Sequence, residues 1–217
     1  MIDAAKILLE HGGIFPYLNL ISMLAAITII VERLIALFRY DISGDQFMAG
    51  LVKMIREGKI DLARKACQAV PASVLARVMK AGLDSSNRGE AEISAAMEET
   101  MMEVTPLVGK RIPALFPLAN VATLIGLIGT ISGLIKCFRA LGSASPETKA
   151  TVLSTGISEA MYNTAFGLMI AVSCIVMQLY LATKAKGMIE ELEYNAVKLE
   201  NLLGRRIAGD IEPEKVG

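Results

Sequence analysis

The sequence predicts an all-α membrane protein: three transmembrane helices with long cytoplasmic helical extensions. Three observations predict this class. The chain of 217 residues is 53% hydrophobic and lacks Trp, and its mean hydropathy of +0.50 is too high for an ordinary soluble domain. Its apolar residues gather into three runs of the length that a bilayer core demands, roughly 20 helical residues. The rest is mixed-charge sequence whose apolar residues recur at helical spacing.

Composition also narrows the function classes. The 22 basic and 22 acidic residues cancel, which gives no support to nucleic-acid binding. Cys67, Cys137 and Cys174 show no CxxC spacing and cannot all pair, so they read as small apolar fillers, not as a disulfide framework or a zinc site. There is no HExxH, no GxSxG, no acidic cluster and one histidine, so an enzyme is not expected.

Taken in order, residues 1–13 form an N-terminal amphipathic segment, with Ile2, Ala5, Leu8 and Leu9 on one helical face at the membrane surface. Acids precede the first apolar run, unlike a secretory signal, so the first span is expected to be retained. His11 beside Gly12 and Gly13 reads as an interfacial loop residue, with a metal or proton-relay role as the alternative. Residues 14–38 form span 1, in which Pro16 suits the first turn and Glu32-Arg33 ends the strictly apolar part.

Residues 39–111 are predicted to be a cytoplasmic helical domain. Phe47, Leu51, Met54 and Ile55 make one stripe, Ile60, Leu62, Ala63 and Ala66 a second, and Val74, Leu75, Val78 and Met79 a third. After the turn cluster Asp84–Gly89, a long helix leads toward span 2, and Met97, Met101 and Met102 on it read as a packing face, not a soft-metal box.

Span 2 covers residues 112–136. Pro113 and Pro117 lie near its start, and Gly126, Gly129 and Gly133 form a small-residue seam for close helix packing. Thr123 and Thr130 stand seven apart on one face, and the plain expectation is that such hydroxyls bond back to their own helix. A short periplasmic connection, 137–151, offers Ser145-Pro146-Glu147 as cap, first-turn proline and first-turn acid.

Span 3, residues 152–182, carries Glu159 within its apolar run, and a carboxylate there is expensive unless it faces protein or water. Asn163 shares its face, whereas Thr164 is turned about 140° away, so one helix offers polar groups to two neighbours. Residues 183–217 continue helically past the bilayer through Met188, Ile189, Leu192, Val197, Leu199, Leu202 and Leu203, and end in a frayed tail. Eighteen Lys and Arg fall in the 32–111 segment and the C-terminal tail, against four elsewhere. This places the N-terminus outside and the large loop and C-terminus in the cytoplasm.

Two stretches carry a family resemblance. Residues 118–133, LANVATLIGLIGTISG, are similar to the second-span pattern of the MotA/TolQ/ExbB proton-channel family, and GISEA with TAFGL at 156–160 and 164–168 resembles its third-span pattern. The order of spans, the large first loop and Glu32-Arg33-Leu34 agree as well, so the likeness covers nearly the whole chain. Thr123 and Ser173 stand where ExbB and TolQ usually carry proline.

The resemblance implies a multi-pass bacterial inner-membrane subunit of a homopentameric ring. A dimer of single-span partners like ExbD, TolR or MotB would sit in the central pore, the partner's aspartate carrying the proton. Thr130, Thr164 and Thr123 would then be lining hydroxyls on the proton pathway, and Gly167 would join the packing glycines. Glu159 would be the family's third-span acid, either titrating or holding subunits together by hydrogen bonds. No cofactor is implied, protons are the coupling ion and sodium stays open. The output would reach a TonB/TolA-like or motility effector, energising outer-membrane transport, envelope maintenance or gliding. A non-conducting scaffold that assembles a partner complex is the alternative. Half of a secondary transporter would need an internal repeat, and none is found.

Overall fold

The computed structural model describes residues 14–41 and 44–208. The predicted amphipathic segment 1–13, with His11, and the tail from residue 209 lie outside the described residues. Among the described residues seven α-helices follow one another: α1 (Phe15–Tyr40), α2 (Gly44–Arg56), α3 (Ile60–Gln68), α4 (Val74–Asp84), α5 (Glu90–Gly109), α6 (Leu115–Ser143) and α7 (Lys149–Ile207). A single 3-10 turn, Ile112–Ala114, precedes α6, and no strand occurs among the described residues. Among the described residues three helices are long and apolar enough to cross a membrane.

The chain divides into two compact units. The first holds the described residues up to Glu32 together with Arg111–Tyr180, that is, the apolar parts of α1, α6 and α7. Its core is made of small side chains, Ala26 from α1, Ala119 and Ala122 from α6, and Ala171 and Cys174 from α7 with Ile170. In lipid no hydrophobic force draws helices together, so such residues act by letting backbones approach to van der Waals distance. The outward faces carry Ile21, Leu24, Leu127, Ile131, Met169 and Val172, all exposed.

Hydroxyls in these helices are mostly satisfied on their own backbone: Ser22 donates to the Leu18 carbonyl at 3.2 Å, Thr28 to Leu24 at 2.8 Å and Ser173 to Met169 at 2.9 Å. Pro113 sits in the 3-10 turn and Pro117 in the first turn of α6. A missing N–H there has no helical partner to lose, so neither proline requires rescue by neighbouring helices.

Helix α6 continues to Ser143, so the turn to α7 occupies only 144–148. The Ser145 carbonyl accepts the first helical bond, from Lys149 N–H at 3.1 Å, while its hydroxyl pairs with that of Thr148 at 3.0 Å. Glu32 closes the apolar part of α1 in an ion pair with Arg111 at 2.6 Å. Arg111 has φ 63° and interrupts the helix that the sequence extends into span 2.

The second unit holds Arg33–Lys110 and the described residues from Leu181 on. Buried Arg33 donates to the Leu107 carbonyl at 3.2 Å. Helix α2 buries Gly44, Met48, Leu51 and Ile55, so its stripe passes through Met48 and not Phe47. Helix α3 buries Ala63 and Cys67 and leaves Leu62 exposed, whereas α4 buries Val74, Leu75, Val78 and Met79 as the spacing predicts. On α5 the packing face is Ile93, Met97, Val104 and Val108, and Met102 points to the surface. Against these, α7 buries Met188, Leu192, Leu199 and Leu203, while Val197 is exposed.

Candidate functional site

The site is built where α6 and α7 meet along a seam of glycines. A Cβ on Gly126 would lie 2.9 Å from the Asn163 carbonyl, and one on Gly167 would lie 2.6 Å from that of Ala122. On Gly133 it would meet the Ala160 Cβ at 3.0 Å, and on Gly129 the Asn163 Cβ at 3.0 Å and the Phe15 Cβ of α1 at 3.1 Å. Only hydrogen at these positions lets the two backbones come so close.

That closeness brings Thr130 of α6 and Thr164 of α7 into direct hydroxyl contact. Thr130 Oγ1 also lies 3.2 Å from the carbonyl of Gly126, on its own helix, and 3.1 Å from that of Ala160, across the seam. Thr164 Oγ1 lies 3.3 Å from the Gly126 carbonyl. Two hydroxyls own two protons between them and face three acceptor relations beyond their own contact. Several arrangements of the same two protons are therefore available, and each leaves an oxygen lone pair ready to accept from outside. Both residues are half-buried, so the pair is held by protein without being sealed off.

Next to the pair lies a pocket of about 390 Å³ between the same helices, lined in part by Ser132, Gly133, Thr155, Glu159, Ala160 and Asn163. Glu159, half-buried, is thus on the pocket wall and not in the hydroxyl pair. Thr123 is not brought in either: its hydroxyl donates to the Ala119 carbonyl at 3.1 Å, the plain behaviour of a helical threonine.

Two amides complete the neighbourhood. Asn163 is 3% exposed and Asn19 of α1 is 1% exposed, and the Oδ1 of each has no hydrogen-bond partner among the described residues. The Asn19 Nδ2 lies 3.3 Å from where a Gly167 Cβ would stand, so α1 also reaches the seam. Asn19 was hidden by the apolar run around it. The available signal was the amide itself, since a buried amide inside a span is costly without a partner. No group of three or more His, Cys, Asp or Glu side chains arranged to hold a metal occurs among the described residues.

An ExbB-like biopolymer transport protein of Synechocystis sp. is 28% identical over 167 residues, 76% of this chain and 79% of the relative. A Tol-Pal system protein TolQ of Haemophilus influenzae is 36% identical over 81 residues, 37% of this chain and 35% of that one. A biopolymer transport protein of the ExbB type from Vibrio cholerae is 35% identical over 74 residues, covering 34% and 32% of the two chains. The sequence profile of the MotA/TolQ/ExbB proton channel family matches residues 71–194, more than half of the chain, including α6, α7 as far as residue 194, and both threonines of the hydroxyl pair. With three membrane-length helices and that match, the chain belongs to the MotA/TolQ/ExbB proton channel family.

Proposed function

We propose that this chain is the ring-forming subunit of a motor driven by the proton-motive force. In this reading five copies enclose the single spans of an ExbD/TolR-like partner dimer in the bacterial inner membrane, N-termini outside. The partner's membrane acid carries the proton and this chain supplies the polar lining. The observation that carries the reading is the Thr130–Thr164 hydroxyl pair, held across the glycine seam of two helices and able to rearrange its protons without changing charge.

A hydroxyl that accepts a proton on one side while releasing its own on the other ends neutral, so it bridges a carboxyl in either protonation state, directly or through water. Moving one charge down about 100 mV releases roughly 2.3 kcal/mol, enough to bias one conformational step of partner against ring. The work would be delivered to an envelope process such as outer-membrane transport, Tol-type maintenance or gliding.

The scaffold reading draws on the same hydroxyls, because they bond within one protomer and contribute to helix packing. The two separate on substitution. Thr130→Ala and Thr164→Ala should leave co-purification with the partner intact and abolish proton-dependent output in cells. Wild-type output from both variants would overturn the motor reading in favour of the scaffold.

A further inference from the structure

We propose that the start of α2 is latched to α7 by a pH-sensitive contact, closed while Glu191 is protonated and released when it ionises. The latch lies wholly in the second unit and stands whether or not the spans conduct protons.

A glycine makes the contact possible. Gly44 opens α2 and is buried, and a Cβ there would overlap Glu191 Oε1 of α7. The carboxyl group therefore rests directly on the first turn of the helix. Further along, α2 turns Met48, Leu51 and Ile55 inward, so apolar packing holds its later turns and Glu191 holds its start.

The charges around Glu191 decide when that contact is favourable. Asp41, just past the end of α1, and Asp45, in the first turn of α2, both repel its ionised form. Lys184 offsets them in part from two turns away on α7, but it is already in an ion pair with Asp41. Helix α4 faces the cluster with Val74 and Leu75, which carry no charge. Hydration in place is limited as well. The cavity between Tyr40, Asp41, Leu75, Met188 and Glu191 measures about 20 Å³, room for a single water.

An ionised Glu191 thus meets two like charges with little water to screen them, and as a half-buried side chain it can swing off Gly44 into solvent. Desolvation and the two aspartates hold its acid above 4.5, so the contact stays closed above that pH and opens as pH rises through the folded-state value.

Amide hydrogen exchange of the full chain in lipid nanodiscs, corrected for the chemical exchange rate at each pH, reads the latch. In the wild type, protection across residues 44–51 should fall at least about tenfold from pH 5 to pH 8, while that of 93–104 on α5 stays level. Glu191→Gln, neutral throughout, should keep the low-pH protection at both. Gly44→Ala, whose methyl displaces the carboxyl group, should remove the pH response. Asp45→Asn takes away one repelling charge and should move the midpoint to lower pH, a shift that a merely structural Glu191 would not show.

Wild-type protection that ignores pH, or an undiminished pH response in Glu191→Gln or Gly44→Ala, overturns the latch. If Glu191→Gln fails to fold, Asp45→Asn decides: a lowered midpoint supports the latch and an unmoved one overturns it.

Discussion

At the residue scale, the seam depends on what glycine lacks and on what threonine holds. A methyl group at Gly126 or Gly167 would press on a backbone carbonyl, which cannot rotate away as a side-chain end can. Gly126→Ala and Gly167→Ala should therefore each destabilise the first unit by about 1–3 kcal/mol, the usual cost of overpacking, and pull the hydroxyls apart. Thermal unfolding in detergent checks the first consequence and proton flux the second. In the second unit, burial, aided by the nearby Asp84 carboxylate, pushes the Cys67 thiol up to about 11. At pH 8 only about one molecule in a thousand carries the thiolate there, so alkylation of Cys67 should lag far behind that of a free thiol until the protein is unfolded. Mass spectrometry after timed labelling measures this.

Glu191 gives a residue-scale prediction with a pH sign. Desolvation first, then the Asp41 and Asp45 carboxylates, hold its acid above the usual value of 4.5, against the opposing pull of Lys184. A group raised on folding favours the folded state while protonated, and that contribution is lost as pH rises through its folded-state value. Glu191→Gln should thus raise the melting temperature at pH 7 and make no difference below pH 4.5, where wild-type Glu191 is itself neutral. Equal melting temperatures at both pH values would contradict the assignment.

At the scale of elements, α7 carries the largest burden. Its 59 residues rise about 88 Å, nearly three times a hydrocarbon thickness of about 30 Å. The apolar repeat beyond residue 181 made this continuation legible, because spacing of three and four residues survives between the charges. Leu199 and Leu203, fully enclosed, are its anchors in the second unit. Leu199→Ala should cost about 2–5 kcal/mol, read by thermal unfolding followed by helical circular dichroism.

Finer element detail was less legible. Adjacent apolar residues such as Phe47 and Met48, or Met101 and Met102, fit a stripe almost equally well, and tertiary packing chose between them. The break at Arg111 had no local marker, since the left-handed backbone there falls on a residue that rarely adopts it. Within the site, the seam and the threonines were visible as small and polar residues in apolar runs. That Thr130 meets Thr164 while Thr123 bonds back to Ala119 depends on the approach of two helices, and no spacing within one helix encodes that approach.

At the scale of the whole molecule, the exposed apolar faces of the spans require company, from lipid, sister subunits or partner. A homopentamer is the expected assembly, and native mass spectrometry of the complex should show five copies of this chain with two of the partner. Whether protons cross where this chain's hydroxyls meet the partner's acid is decided by flux. Liposomes holding the complex are given a pH step and a potential, and internal pH is followed. Rapid acidification is expected with the wild-type complex, and none above background with Thr130→Ala combined with Thr164→Ala in an intact assembly. Equal acidification by the two would contradict it.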